Sequence, residues 1–148
     1  MEWTAEALKV YEEKHRREAI KDEICVLRGQ MRREQAPGRW IDLSGQLRAC
    51  VVELNRKAGR TIISDQATHT KQYVLRCEES GATLKIDFHP EMYRVSIDGL
   101  SQPREFELTI RTKNGNDTAV WIDRQTGMEE SDRTIAESVI LEFLTVSA

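Results

Sequence analysis

Three carboxylates, Asp87, Glu105 and Glu107, lie in segments where apolar and polar residues alternate, and the cations Lys85, Arg94 and Arg111 share those segments. Alternation puts all six on one face of an antiparallel sheet, where they could floor a charged site. Cross-strand pairing of solvated residues, at about 0.2–1 kcal/mol per pair, accounts for the same set without a ligand, and that is the expectation. Cys25, Cys50 and Cys77 are far apart, and neither they nor His15, His69 and His89 show the paired spacing of a zinc site. Each cysteine sits among apolar neighbours in a periodic segment, so buried, reduced thiols are expected, with His69 and His89 as surface histidines. Gly115 and Gly127 stand alone in turns, not in a run opening a helix, which excludes a phosphate or dinucleotide loop of the usual kind. No nucleophile with a neighbouring base emerges, so neither catalysis, nor a metal, nor a cofactor is expected.

Two binding surfaces remain. Trp3, Val10, Ile24 and Met31 share one heptad position of a long helical pattern, but Arg17 occupies the same position between them, so a long coiled coil is not supported. Together with Arg28, Arg32, Arg33 and Arg39 these residues form the candidate interaction surface for a protein partner or a second copy of the chain. From Arg28 to Arg60 there are eight basic and three acidic residues. They read first as the solvated faces of amphipathic helices, then as a surface for a protein partner, and only third as a weak grip on nucleic acid, since no nucleic-acid motif accompanies them. The alternative site is a small-molecule cavity, for binding alone or for an enzymatic reaction, between the sheet and a C-terminal helix, lined by Tyr73, Phe88, Tyr93, Phe106 and Trp121.

The elements that must position these residues follow from periodicity. Thr4 caps a first helix whose stripe Ile20, Ile24, Leu27 and Met31 is of the kind that buries against another helix or the sheet, and Pro37 with Gly38 is expected to stop it. A second helix, capped by Asp42 or Ser44, carries Leu43, Leu47, Cys50, Val51, Leu54 and Ala58 on one face and ends at Gly59. Thr61 to Ile63 form a short strand and Ser64 to Lys71 a polar loop. From Gln72 to Asp123 the period is two: Tyr73, Leu75 and Cys77; Leu84, Ile86 and Phe88; Tyr93, Val95 and Ile97; Phe106, Leu108 and Ile110; then Ala119 to Asp123. Asp98–Gly99 and Asn114 to Asp117 supply the turns. Residues 125–130 read as a loop, and Ser131 or Asp132 caps a last helix with the stripe Ala136, Val139, Ile140, Phe143 and Leu144.

The fold expected is thus α+β: two N-terminal helices within residues 1–60, an antiparallel meander of about five strands within 61–125, and a C-terminal helix within 126–148 packed on the apolar sheet face, all in one domain. At 148 residues such a chain builds a core without staples. Residues 1–60 carry 13 Lys and Arg against 10 Asp and Glu, and the rest 9 against 15, so a basic helical half precedes an acidic sheet half. No apolar run approaches the roughly 20 residues of a membrane span, and the N-terminus lacks the apolar centre of a signal peptide, so a cytoplasmic protein is expected. The function expected is that of a non-catalytic interaction or assembly protein acting through its N-terminal helices.

Overall fold

The computed structural model of the chain describes residues 2–66 and 70–147. Among these, the chain forms helix α1 (Trp3–Ala58), strands β1 (Ile63–Gln66), β2 (Gln72–Cys77), β3 (Thr83–His89), β4 (Arg94–Asp98), β5 (Arg104–Lys113), β6 (Asn116–Asp123) and β7 (Glu129–Glu130), and helix α2 (Asp132–Ser147). The architecture is α+β, with seven strands in one antiparallel meander whose spatial order is the chain order. Contacts divide the chain into two compact units, one up to Met31 and one from Arg32 onward.

From Trp3 to Met31 the first unit is helical. Its ion pairs are local: Arg17 meets Glu13 at 3.5 Å and His15 approaches Glu18 at 3.9 Å. Such i,i+3 and i,i+4 pairs each contribute only a few tenths of a kcal/mol. Tyr11 lays its ring edge on His15, centroids 4.2 Å apart.

In the second unit one helix continues where two were expected. Pro37 lies inside α1 and does not end it. A proline there lacks the N–H that would reach the carbonyl four residues back and crowds that carbonyl, at a cost of about 3 kcal/mol. Ala36, Trp40, Leu43, Leu47, Cys50 and Val51 are all buried on the same helical stripe, and each large member contributes roughly 1.5–3 kcal/mol, so burial outweighs the defect. Asp42 and Ser44, expected as caps, consequently sit mid-helix: Asp42 pairs with Arg39 at 3.4 Å and Ser44 Oγ donates to the Ile41 carbonyl at 3.1 Å. The helix does end at Gly59, where the Arg60 N–H reaches back to the Asn55 carbonyl at 3.3 Å. Asn55 then fastens β1 to the helix: its Oδ1 accepts from the Ile62 and Ile63 amides at 2.8 and 3.2 Å, and its Nδ2 donates to the Ile63 carbonyl at 2.8 Å.

The meander has seven strands, not five. β1 begins at Ile63 and takes Ser64, Asp65 and Gln66 out of the expected loop; His69 lies outside the described residues. β7 pairs Glu129 and Glu130 with Ile122 and Trp121. Both are short, polar edge strands, so neither has an alternating apolar pattern to reveal it. Across the inner face Leu75 opposes Leu84, Ile86 opposes Ile97, Val95 opposes Phe106, and Leu108 opposes Trp121. The stripe of α1 and the buried residues Ile135, Ala136, Val139, Ile140 and Phe143 of α2 complete this core. Ser131 caps α2, its Oγ accepting from the Thr134 amide at 3.2 Å.

Turn chemistry sets the register. Asn114 and Gly115 both take positive φ, 53° and 78°, as a two-residue hairpin loop requires, and Lys113 pairs with Asn116 beyond them. At Gly99, with φ 114°, a Cβ would lie 2.5 Å from the Thr83 carbonyl oxygen. Gly99→Ala is therefore expected to destabilise the protein by more than about 1 kcal/mol, whereas Gly45→Ala, in open space within α1, should stabilise it by roughly 0.5–1 kcal/mol. Urea midpoints of the two variants measure both, and equal shifts would refute the steric account.

Candidate functional site

Two surfaces are candidates for a functional role, one in each compact unit. On the first, Trp3, Leu8, Val10, Tyr11, Ile20, Ile24, Val26 and Leu27 are exposed, from 44 % for Ile24 to 70 % for Trp3. Met31, at the end of the unit, is half-buried. The stripe Ile20–Ile24–Leu27, expected to bury, is thus open to water, and Cys25 is exposed where a buried thiol was expected; Cys50 and Cys77 are buried. An isolated amphipathic pattern shows which side chains share a face but not whether anything covers them. Arg28 is exposed on this unit and Arg33 on the next.

The second surface is a cavity of about 450 Å³ between the α1 residues Pro37, Trp40, Ile41, Ser44 and Arg48 and the sheet residues Gln72, Tyr73 and Phe88. Trp40 stacks on Phe88, centroids 5.5 Å apart and planes 7° from parallel, and its indole N–H donates to the Thr70 carbonyl at 2.7 Å. The Tyr73 hydroxyl donates to Asp65 Oδ1 at 2.6 Å, with the Arg48 guanidinium 5.5 Å from its ring centroid. Burial and the Asp65 carboxylate both push the Tyr73 phenol well above its ordinary range, so it stays a neutral donor. The two fully charged lining residues, Arg48 and Lys71, are both cationic, and Arg48 also meets Asp65 at 3.4 Å.

The five aromatics proposed for one cavity are distributed over three places. Tyr73 and Phe88 line the cavity against α1, while Phe106 and Trp121 are fully buried core. Tyr93 caps a short 3-10 turn, Pro90–Met92, with φ 53°, and the Arg32 guanidinium lies 4.4 Å from its ring centroid. A bulky residue in the left-handed region is uncommon, and the cation–π contact, worth about 0.5–2 kcal/mol, helps hold it there. Arg39 and Trp121 come together at Asp132 Oδ1, which accepts from Arg39 Nη2 at 3.0 Å and from the Trp121 indole at 2.9 Å.

On the outer sheet face each proposed carboxylate has a cross-strand partner. Gln72 donates to Asp87 at 2.8 Å, Arg124 meets Glu105 at 2.6 Å, and Glu107 lies 4.0 Å from both Arg94 and Arg124. Arg111 pairs with Glu129 of β7 at 3.6 Å, and His89 Nε2 lies 2.9 Å from Ser96 Oγ. Among the described residues no three potential metal ligands cluster, and no helix is long and apolar enough to cross a membrane.

Sequence reasoning missed Arg104 altogether. At 14 % side-chain exposure it reaches Asp123 at 3.5 Å, Glu142 at 3.5 Å, Glu130 at 3.7 Å and Ser138 Oγ at 2.9 Å, and it lies over Phe106. It ties β5 to β6, β7 and α2. The available signal was Arg104 two residues before an inward-facing Phe106, which puts a cation on the core face. Compared with protein-family models, with curated proteins and with solved structures, the chain finds no match in any of the three.

Asp132 yields a prediction about pH. Burial raises its carboxyl above the ordinary value, outweighing the attraction of Arg39 and the Trp121 hydrogen bond, which lower it. Its folded-state pKa is then the higher one, so its contribution is present in full below the unfolded value, about 3.9, and is lost as pH rises through the raised value. Asp132→Asn should remove this component: the stability of wild type relative to the variant should fall as pH rises across that window. Urea midpoints between pH 3.5 and 7 measure it, and a relative stability that grows with pH would mean the Arg39 attraction prevails.

Proposed function

We propose that this chain is a non-catalytic interaction or assembly protein that associates, with itself or with a protein partner, through the helical segment preceding Arg32. One observation carries this reading: eight large apolar side chains between Trp3 and Leu27 are exposed on a single helical segment. Scattered single apolar residues are ordinary on a surface, but two clusters on one helical segment, Trp3 to Tyr11 and Ile20 to Leu27, remove apolar area from water on docking and so favour a partner. The basic residues around it give less. Arg32 and Arg39 are engaged by Tyr93 and Asp132 while Arg28 and Arg33 are exposed, and no nucleic-acid motif accompanies the basic run, so nucleic acid is not the partner proposed.

Replacing Ile20, Ile24 and Leu27 together with Gln tests the reading. Circular dichroism and urea unfolding should show the core intact, while association, followed by sedimentation velocity and by native pull-down, should weaken at least tenfold. A triple variant that associates as wild type does would refute it.

A second reading rests on the cavity beside Trp40. Its volume lies within the roughly 300–1,000 Å³ of small-molecule sites. Trp40, Tyr73 and Phe88 suit a planar apolar molecule. Anilinonaphthalene sulfonate should bind the wild type, and Ser44→Trp, which fills the space, should abolish the signal. Equal dye binding by both proteins would remove this reading.

A further inference from the structure

The exposed stripe of the first unit also specifies its occupant. In heptad terms Trp3, Val10, Arg17, Ile24 and Met31 share one seam position, and Glu6, Glu13, Ile20 and Leu27 share the other. A parallel pair of identical helices would set each position against itself, stacking Glu6 on Glu6, Glu13 on Glu13 and Arg17 on Arg17. An antiparallel pair sets one seam position against the other, and one register joins apolar with apolar and cation with anion along almost the whole segment. Trp3 then faces Leu27 of the second copy, Val10 faces its Ile20, and Arg17 faces its Glu13, each pairing occurring twice by symmetry. Ile24 alone meets a mismatch, Glu6 of the second copy.

We propose that two copies of this chain associate through an antiparallel pairing of their first helical segments, with reciprocal Arg17–Glu13 pairs at the centre and Trp3–Leu27 contacts at the ends. This rests on the association reading above and names its partner. Arg17 and Glu13 are already neighbours, 3.5 Å apart and more than half exposed, so they can exchange an intrahelical partner for an intermolecular one. The overlap ends at Leu27, within the first compact unit. At the flanks, Lys9 approaches Glu23 of the second copy, which favours this register; Lys14 and Arg16 meet their own copies near the two-fold axis, a repulsion at the solvent edge that water and salt screen. The charged central layers reduce affinity but exclude the parallel arrangement, as polar seam residues do in specifying orientation.

Cys25 provides the experiment. It is exposed while Cys50 and Cys77 are buried, so the native protein takes a spin label there. In the proposed register Cys25 lies opposite residue 5 of the second copy, and twenty residues at about 1.5 Å each separate the two labels by roughly 30 Å or more; a parallel pair brings them within roughly 20 Å. Double electron–electron resonance should give the long distance. Arg17→Glu and Glu13→Arg should each weaken dimerisation at least tenfold, and the double variant should return it to the wild-type value, with circular dichroism confirming equal helix content. A short label distance, or single reversals without effect, overturns the antiparallel pair while leaving association through this helix standing. A strict monomer at high concentration also overturns it, and indifference of all association to the Ile20, Ile24 and Leu27 substitutions removes the underlying reading as well.

Discussion

The inner face of the sheet must be covered, and the second unit depends on how α1 covers it. Ala36, Trp40, Leu43, Leu47, Cys50 and Val51 fall on one stripe spaced four and three apart, and all six are buried. The proline beside the first of them would break an isolated helix, yet the helix carries on. The comparison of magnitudes decides this: one proline costs about 3 kcal/mol, and several large buried side chains contribute comparable amounts each. A break at Pro37 would have turned Trp40 and Leu43 away from the sheet, exchanging one lost hydrogen bond for a partly open core.

Polar contacts then fix what apolar burial leaves free. Hydrophobic contact is non-directional, so it does not by itself choose the position of a helix along a sheet. Asn55 bonds both the amide and the carbonyl of Ile63, Gln35 Oε1 accepts from the Ala119 amide at 2.9 Å, and Asp132 joins α2 to β6 and α1 through Trp121 and Arg39. Each of these satisfies a backbone or indole group that burial would otherwise leave without a partner, at a cost of about 1–3 kcal/mol. Arg104 works in the same way with charge, and because its carboxylates approach from β6, β7 and α2, removing it would strand anions contributed by three elements.

The same periodicity has opposite outcomes in the two units. Ile20, Ile24 and Leu27 repeat at four and three as Trp40, Leu43 and Leu47 do at three and four, yet the first set is exposed and the second buried. The difference is the ground for the proposed association, because apolar area left in contact with water favours association. The cavity beside Trp40 is the other place where apolar surface remains accessible. There the Trp40 and Phe88 rings stack and the Tyr73 hydroxyl donates to Asp65.

The α+β class, the period-two strands from Tyr73 to Asp123, the Asn114–Gly115 hairpin, the end of α1 at Gly59 and the Ser131 cap of α2 could be read from residue types, because each follows from local sterics or from which face a side chain takes. The continuity of α1 through Pro37 could not, since it depends on what lies across from Trp40 and Leu43. β7 was invisible and the short strand expected at Thr61 to Ile63 was misplaced for a related reason: edge strands rich in Ser, Asp, Gln and Glu are held by backbone pairing to a neighbour, which leaves no pattern in side-chain type. The aromatic candidates were expected to line one cavity, but whether an aromatic becomes core, as Phe106 and Trp121 do, or lines a cavity, as Tyr73 and Phe88 do, is decided by what packs opposite it. Local chemistry determined the elements of this protein; which apolar stripe is covered, and which is left exposed, was decided only by packing between residues distant in the chain.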